Sequence, residues 1–208
     1  MLHELTTTRG ETLTGTPWTV YPRPQMKRDS YLNLNGEWEF SVTNPEFTGK
    51  TIQVPFCPES RLSGIGEHFP EGTALWYRRK VVLPENWGRG RVLLHIGAAD
   101  QIAEVTVNGK QIGRHVGGYE AFSFDITQHV QAINQLTVEV FDDLRPCHTF
   151  PYGKQRVDRG GMWYTPVSGI WQTVWLESVP ETYVKSLRID TTRDTATITA
   201  EGVTDGTV

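Results

Sequence analysis

The chain has 208 residues, with 20 Lys+Arg against 24 Asp+Glu for a formal net charge of −4, and is 38% hydrophobic. That length and apolar content suit one sizeable domain, with room for part of a second, and exclude an intrinsically disordered tail. Charge is scattered without a basic run, so the footprint of a nucleic-acid binder is missing, and no stretch approaches the roughly 18 apolar residues of a membrane span. Twenty Gly and 12 Pro point to many turns and short elements. The first 25 residues are polar and carry no apolar signal-peptide core, so a cytoplasmic protein is expected. Cys57 and Cys147 have no C-x-x-C partner and read as two reduced thiols, with a single disulfide as the alternative.

Beyond a polar arm over residues 1–32, the pattern is one of strands. Trp38 to Val42 alternates apolar and polar after an Asn35-Gly36 turn, and Thr51 to Pro55 is a short strand. A Gly- and Ser-rich loop, Glu59 to Gly72, precedes a long strand from Leu75 to Leu83, and Arg91 to Ile96 follows a turn. Ala103–Val107, Asn108-Gly109 and Lys110–Gly113 make the clearest hairpin, because both central residues of a type I′ turn need positive φ. Phe122–Ile126 and Leu136–Val140 alternate again. Ile170 to Val179 is apolar on both parities and is expected to be buried on both faces. Only Thr127 to Ala132 suggests a helical turn.

Strands at this spacing, without helical crossovers, describe an all-β antiparallel sandwich or barrel. Its core is expected at Trp38, Tyr77, Leu93, Ile96, Val105, Val107, Phe122, Phe124, Leu136, Val138, Ile170 and Val174. Pro180 ends this run. Residues 181–208 hold two further alternating strands, Leu187–Asp190 and Ala196–Ala200, too few to be stable alone. They are expected to open a second β domain that the chain does not complete.

An ordered series of motifs carries a resemblance: Trp76-Tyr77-Arg78-Arg79, Arg91 to Asp100, Val105-Thr106-Val107-Asn108-Gly109-Lys110, Gly117-Gly118-Tyr119, Phe122 to Thr127, and Ser168-Gly169-Ile170-Trp171-Gln172 with Val174-Trp175-Leu176-Glu177. From about Asn33 to Val179 the chain resembles the N-terminal sugar-binding domain of glycoside hydrolase family 2, the β-galactosidases, β-glucuronidases and β-mannosidases. The resemblance implies a jelly-roll (galactose-binding-like) sandwich over 33–180. It further implies an immunoglobulin-like domain beginning at 181 and then a (β/α)₈ barrel that holds the catalytic pair. The expected function is therefore a non-catalytic domain of a β-glycosidase. The alternatives are a free-standing carbohydrate-binding module and a purely structural interaction domain.

The residues themselves support a non-catalytic role. A retaining glycosidase needs two carboxyl groups about 5–5.5 Å apart with different pKa values. Asp142-Asp143 and Glu67 with Glu71 are the close acidic groupings, and they read as a solvated turn and a loop charge pair. Ser63 lies outside a G-x-S-x-G elbow, and Gly64-Ile65-Gly66 lacks the third glycine of a dinucleotide site. His68, His95, His115, His129 and His148 have no ligand spacing, so no metal or other cofactor is expected. His95, inside a strand, reads as a core or sheet-surface histidine.

The long segment from Asp142 to Pro166 is the binding candidate, because long loops on a rigid sandwich are where binding residues gather. Gln155, Asp158, Trp163 and Tyr164 are types that stack on sugar C–H faces and hydrogen-bond hydroxyls. Alternatively, Trp163 anchors the loop against other domains. Some β-galactosidases of the family place an aspartate before a Met-Trp pair here to bind sugar and sodium. Met162-Trp163 is present, but Gly161 stands in the aspartate's position. The expected partners are a β-glycoside or oligosaccharide and downstream domains of the same chain, with neither nucleic acid nor membrane. A homo-oligomer is allowed but not required.

Overall fold

The computed structural model describes residues 7–70, 72–87, 89–142, 151, 153–158 and 160–203. A helical turn, α1 (Thr8–Glu11), is capped by Thr7, whose hydroxyl accepts a hydrogen bond from the Gly10 amide. The strands follow in chain order: β1 (Tyr31–Asn33), β2 (Gly36–Val42), β3 (Thr51–Val54), β4 (Ala74–Val82), β5 (Arg91–Ile96), β6 (Ala99–Asp100) and β7 (Ile102–Val107). Next come β8 (Lys110–Val116), β9 (Phe122–Asp125), β10 (Ile133–Phe141), β11 (Gly169–Ile170), β12 (Val174–Val179), β13 (Tyr183–Thr191) and β14 (Ala196–Val203). The one-turn helical signal near Thr127 is a 3₁₀ turn, Thr127–His129.

Every pairing between these strands is antiparallel. A six-stranded sheet has the order β3-β2-β4-β10-β7-β8, and a four-stranded sheet the order β1-β12-β5-β9. The β7–β8 hairpin turns at Asn108 (φ 51°) and Gly109 (φ 78°), the two positive angles its sequence calls for. The two sheets face each other across an apolar core, which makes the all-β sandwich expected from the alternation.

Trp38, Phe40, Tyr77, Leu94 and Ile96 are 0–1% exposed at the centre of that core. Phe40 and Tyr77 meet edge-on with ring centroids 5.3 Å apart, the arrangement favoured by aromatic quadrupoles. Two expected core positions need correction. On β5, Val92, Leu94 and Ile96 join the central cluster, so Leu93 points to the opposite face of the sheet, where its register neighbours are Asp125 and Glu177. It is buried nonetheless. Phe124 is half-buried at the core's margin, because the bare backbone of Gly113 leaves room for its ring at the sheet edge.

The outer face of the four-stranded sheet is covered too, which explains the two-sided burial of β12. Residues of the N-terminal arm lie across it. Glu177 is 0% exposed, and it accepts hydrogen bonds from Tyr21, Arg23, Trp175 Nε1 (3.2 Å) and Arg28 Nε (2.9 Å). Burial alone would raise the Glu177 pKa, but His95, Arg23 and Tyr21 outweigh it and hold the carboxylate far below the usual range. His95 stacks on Trp175 with centroids 4.8 Å apart, bonds Ser123 Oγ at 2.5 Å and is pushed towards its neutral form by burial. Glu177 thus ties the arm to the sheet.

The β13–β14 hairpin is exposed along nearly its whole length, with Ile189 and Ile198 turned to solvent. Arg28 links it to the arm by lying over the Tyr183 ring at 5.5 Å.

Candidate functional site

The loop that carries the candidate residues is anchored at one rim of the sandwich, where β11 pairs with β6 through Gly169↔Asp100 and Ile170↔Ala99. Gly169 has φ +74°, and a Cβ there would collide with the Tyr77 hydroxyl, so this crossing requires glycine. That hydroxyl in turn accepts a hydrogen bond from the Ile170 amide at 3.3 Å. Glu59 holds the strand from the other side, accepting from the Ser168 amide (3.2 Å) and hydroxyl (2.6 Å).

Gln155 is the loop's internal clamp. Its side chain is buried, with Nε2 donating to Asp100 Oδ2 (3.1 Å) and Tyr119 Oη (3.4 Å) and Oε1 accepting from the Val167 amide (2.5 Å). Both ends of the amide are therefore engaged by the protein. Asp100 is 2% exposed, and burial pushes its carboxyl up to about 6 against the pull of Gln155. Gly118 makes space for that carboxyl, since a Cβ there would overlap it, and the Gly118 carbonyl accepts from Trp171 Nε1 at 2.8 Å.

A parallel bridge joins Gln155 and Tyr164: the Tyr164 amide donates to Lys154 O (2.9 Å), and the Arg156 amide donates to Tyr164 O (3.1 Å). Tyr164 is 64% exposed above this bridge. Trp163 is half-buried with the Arg156 guanidinium stacked over its ring at 4.2 Å, a cation–π contact that fixes the indole's orientation. Asp158 is exposed on the arch between the bridge's two ends. The structure thus brings Gln155, Trp163 and Tyr164 into one small unit and leaves Asp158 in solvent nearby. Tyr152, Arg159, Asp143, His148, Glu71 and Cys147 lie outside the described residues.

Beside this unit opens a cleft of about 410 Å³, walled by Phe69, Leu75 and exposed Val157 and edged by Glu59, His68 and Ser168. Apolar walls with a few convergent polar groups suit a ligand that offers both C–H and O–H faces, as a pyranose does. Sequence reasoning missed Glu59, Asp100, Tyr119 and Ser168. Asp100, Tyr119 and Ser168 stand inside motifs quoted above, but nothing in a motif says that Asp100 turns inward to meet a residue 55 positions later. Cys57 is a free, half-buried thiol pushed up to about 12 by burial, which makes it unreactive. Among the described residues no three His, Cys, Asp or Glu side chains converge as metal ligands.

Comparison with known proteins identifies the scaffold. The family model for the sugar binding domain of glycosyl hydrolases family 2 matches residues 64–180. A β-galactosidase of Thermoanaerobacter pseudethanolicus is 28% identical over 172 residues, covering 78% of this chain and 22% of that enzyme. A β-glucuronidase of Homo sapiens is 31% identical over 138 residues, covering 56% of this chain and 21% of that enzyme. Among solved structures, a Bacteroides uniformis β-glucuronidase is 27% identical at a TM-score of 0.55, covering 74% of this chain and 18% of its own. An uncultured Clostridium sp. β-glucuronidase superposes at a TM-score of 0.65 over 88% of this chain and 35% of its own; at 24% identity it speaks for the fold alone. The chain spans about a fifth to a third of these relatives. With the model matched across more than half of its length, the chain belongs to glycosyl hydrolase family 2, and it covers that family's sugar-binding domain.

Proposed function

We propose that this chain serves as the non-catalytic N-terminal domain of a retaining β-glycosidase, buttressing a catalytic barrel and presenting the Gln155–Tyr164 unit at the edge of its sugar pocket. The observation that carries this reading is the family match over 64–180 on a chain that spans about a fifth to a third of its relatives. The exposed β13–β14 hairpin fits the opening of an immunoglobulin-like domain, because two strands with solvent on both faces need further strands for their stability. Within the unit the roles divide by exposure. Gln155 shapes the loop from inside, Trp163 and Tyr164 offer aromatic faces, and Asp158 offers a carboxylate to hydroxyls.

The test uses the longest protein encoded by the same reading frame. Trp163→Ala is expected to raise KM for its glycoside or lower kcat/KM about tenfold, the scale of one lost aromatic contact, with the melting temperature held. Unchanged kinetics in both Trp163→Ala and Asp158→Ala would remove the loop from the substrate site.

A further inference from the structure

Away from that loop, the N-terminal arm builds a second surface whose construction none of the preceding roles explains. Trp18 has φ +46°, a costly backbone conformation for a bulky residue, yet its side chain is 56% exposed. Two asparagines impose this geometry. Asn33 Nδ2 donates to the Trp18 carbonyl at 2.9 Å, and Asn35 Nδ2 lies 3.2 Å from the same carbonyl and 3.2 Å from that of Pro17. Asn35 is itself 1% exposed and is fixed by Thr173 Oγ1 (3.2 Å) and by the Val174 amide (3.1 Å). A buried polar network therefore holds the backbone in a strained conformation that presents an indole to water.

The indole borders a cleft of about 430 Å³ walled by Pro22, Pro55 and Trp171. Phe56 supports it from one side, with centroids 5.2 Å apart and planes at 51°. Prolines and a braced aromatic pair make a stiff wall, which lowers the ordering cost of binding. At the cleft's edge, the Gln172 amide is exposed, and among the described residues neither it nor the Trp18 Nε1–H meets a hydrogen-bond partner. The lining holds no charged side chain; the nearby Arg23 is consumed by Glu177 and Tyr21. Anionic ligands such as phosphates and uronates have no counter-charge here. What fits is a neutral molecule with C–H faces for the ring and hydroxyls for the amide.

We infer that Trp18, Gln172 and Trp171 form a surface site for a neutral oligosaccharide, built from residues other than those of the Gln155–Tyr164 unit, although Trp171 meets Tyr119 of that unit's clamp edge-on with centroids 6.2 Å apart. The inference rests on the reading of the chain as a carbohydrate-handling domain, but it uses none of that unit's residues.

The seven tryptophans of the 208-residue chain give indole N–H resonances that report the two surfaces separately. The Trp18 signal is assigned by its loss in Trp18→Phe. Cellotetraose, xylotetraose and β-1,4-galactotetraose are titrated, with glucuronic acid as the charged control. At least one neutral tetraose is expected to shift the Trp18 signal saturably in the millimolar range, and glucuronic acid is expected to leave it still. Trp18→Ala and, independently, Gln172→Ala should weaken that binding about tenfold, and both exposed side chains can be removed without disturbing Asn33 or Asn35. The inference is overturned if no tetraose moves Trp18 up to about 20 mM, or if affinity survives both substitutions. Movement of Trp163 alone would also overturn it, by assigning sugar binding to the other unit. So would self-association abolished by Trp18→Ala, which would make the surface an interface between copies.

Discussion

Replacing Glu177 with glutamine keeps the side chain's shape and removes the charge on which the arm converges. In the folded chain Glu177 is inaccessible to water, and Arg23 and Arg28 both point to it with side chains only 20% and 15% exposed. Removing one member of a buried ion pair leaves the others desolvated without compensation and costs about 3–5 kcal/mol. For a chain of this length each kcal/mol moves the melting point by about 2–4 °C, so a fall of roughly 10 °C is expected in calorimetry. The arm should also become a protease target between Trp18 and Tyr31 before the sandwich unfolds. The pH dependence has a definite sign. The folded-state pKa of Glu177 is depressed, so its stabilisation is complete above the ordinary carboxylate range and is lost as the pH falls through the lower, folded value. Wild type should therefore lose its advantage over Glu177→Gln progressively as the pH falls below the ordinary carboxylate range. A melting point within 2 °C or so of wild type at pH 7, with the arm equally resistant to protease, would refute the latch.

Asp100 should behave oppositely. Its folded pKa, about 6, lies above the unfolded value of 3.8, so its contribution is most favourable below the unfolded value and is lost as pH rises through about 6. Asp100→Asn should flatten the decline in melting temperature between pH 4 and 7, worth about 3 kcal/mol at most; an unchanged slope would show that Asp100 is not the titrating group. Phe40→Ala, at the centre of the core, should cost about 3–5 kcal/mol by denaturant unfolding. Leu93→Ala should cost less than Leu94→Ala, since Leu94 alone of the two sits between the sheets; the reverse order would contradict the facing assigned to β5.

Much of the fold was legible because a half-buried strand writes its facing into a two-residue period. The Asn108-Gly109 turn, the alternation of β7 and β10 and the double-sided burial of β12 could all be read this way. Leu93 was misread for the same reason in reverse. With both faces of β5 covered, every residue from Val92 to Ile96 is buried, and period two no longer says which parity faces the core. The cover itself, an arm rich in Tyr, Pro and Arg, has no periodicity and gave no sign of its partner until Glu177 was seen in place.

The candidate site was legible as a region and not as a geometry. Length and aromatic content marked the segment around Trp163, and Gln155, Trp163 and Tyr164 do fold into one unit. Gln155, read as a sugar-binding amide, has its side chain held by Asp100, Tyr119 and Val167, and side-chain pairing with Asp100 across 55 residues leaves no local pattern. Trp18 was likewise hidden in a polar arm. Only its backbone angle and exposure set it apart.

The most direct measurement compares turnover of nitrophenyl β-galactoside, β-glucuronide and β-mannoside by the purified 208-residue chain and by the longest protein from the same reading frame. A non-catalytic sugar-binding domain predicts no turnover above a heat-killed control for the chain, and hydrolysis of at least one of the three glycosides by the longer protein. Turnover by the chain alone, or none by either protein, would contradict it.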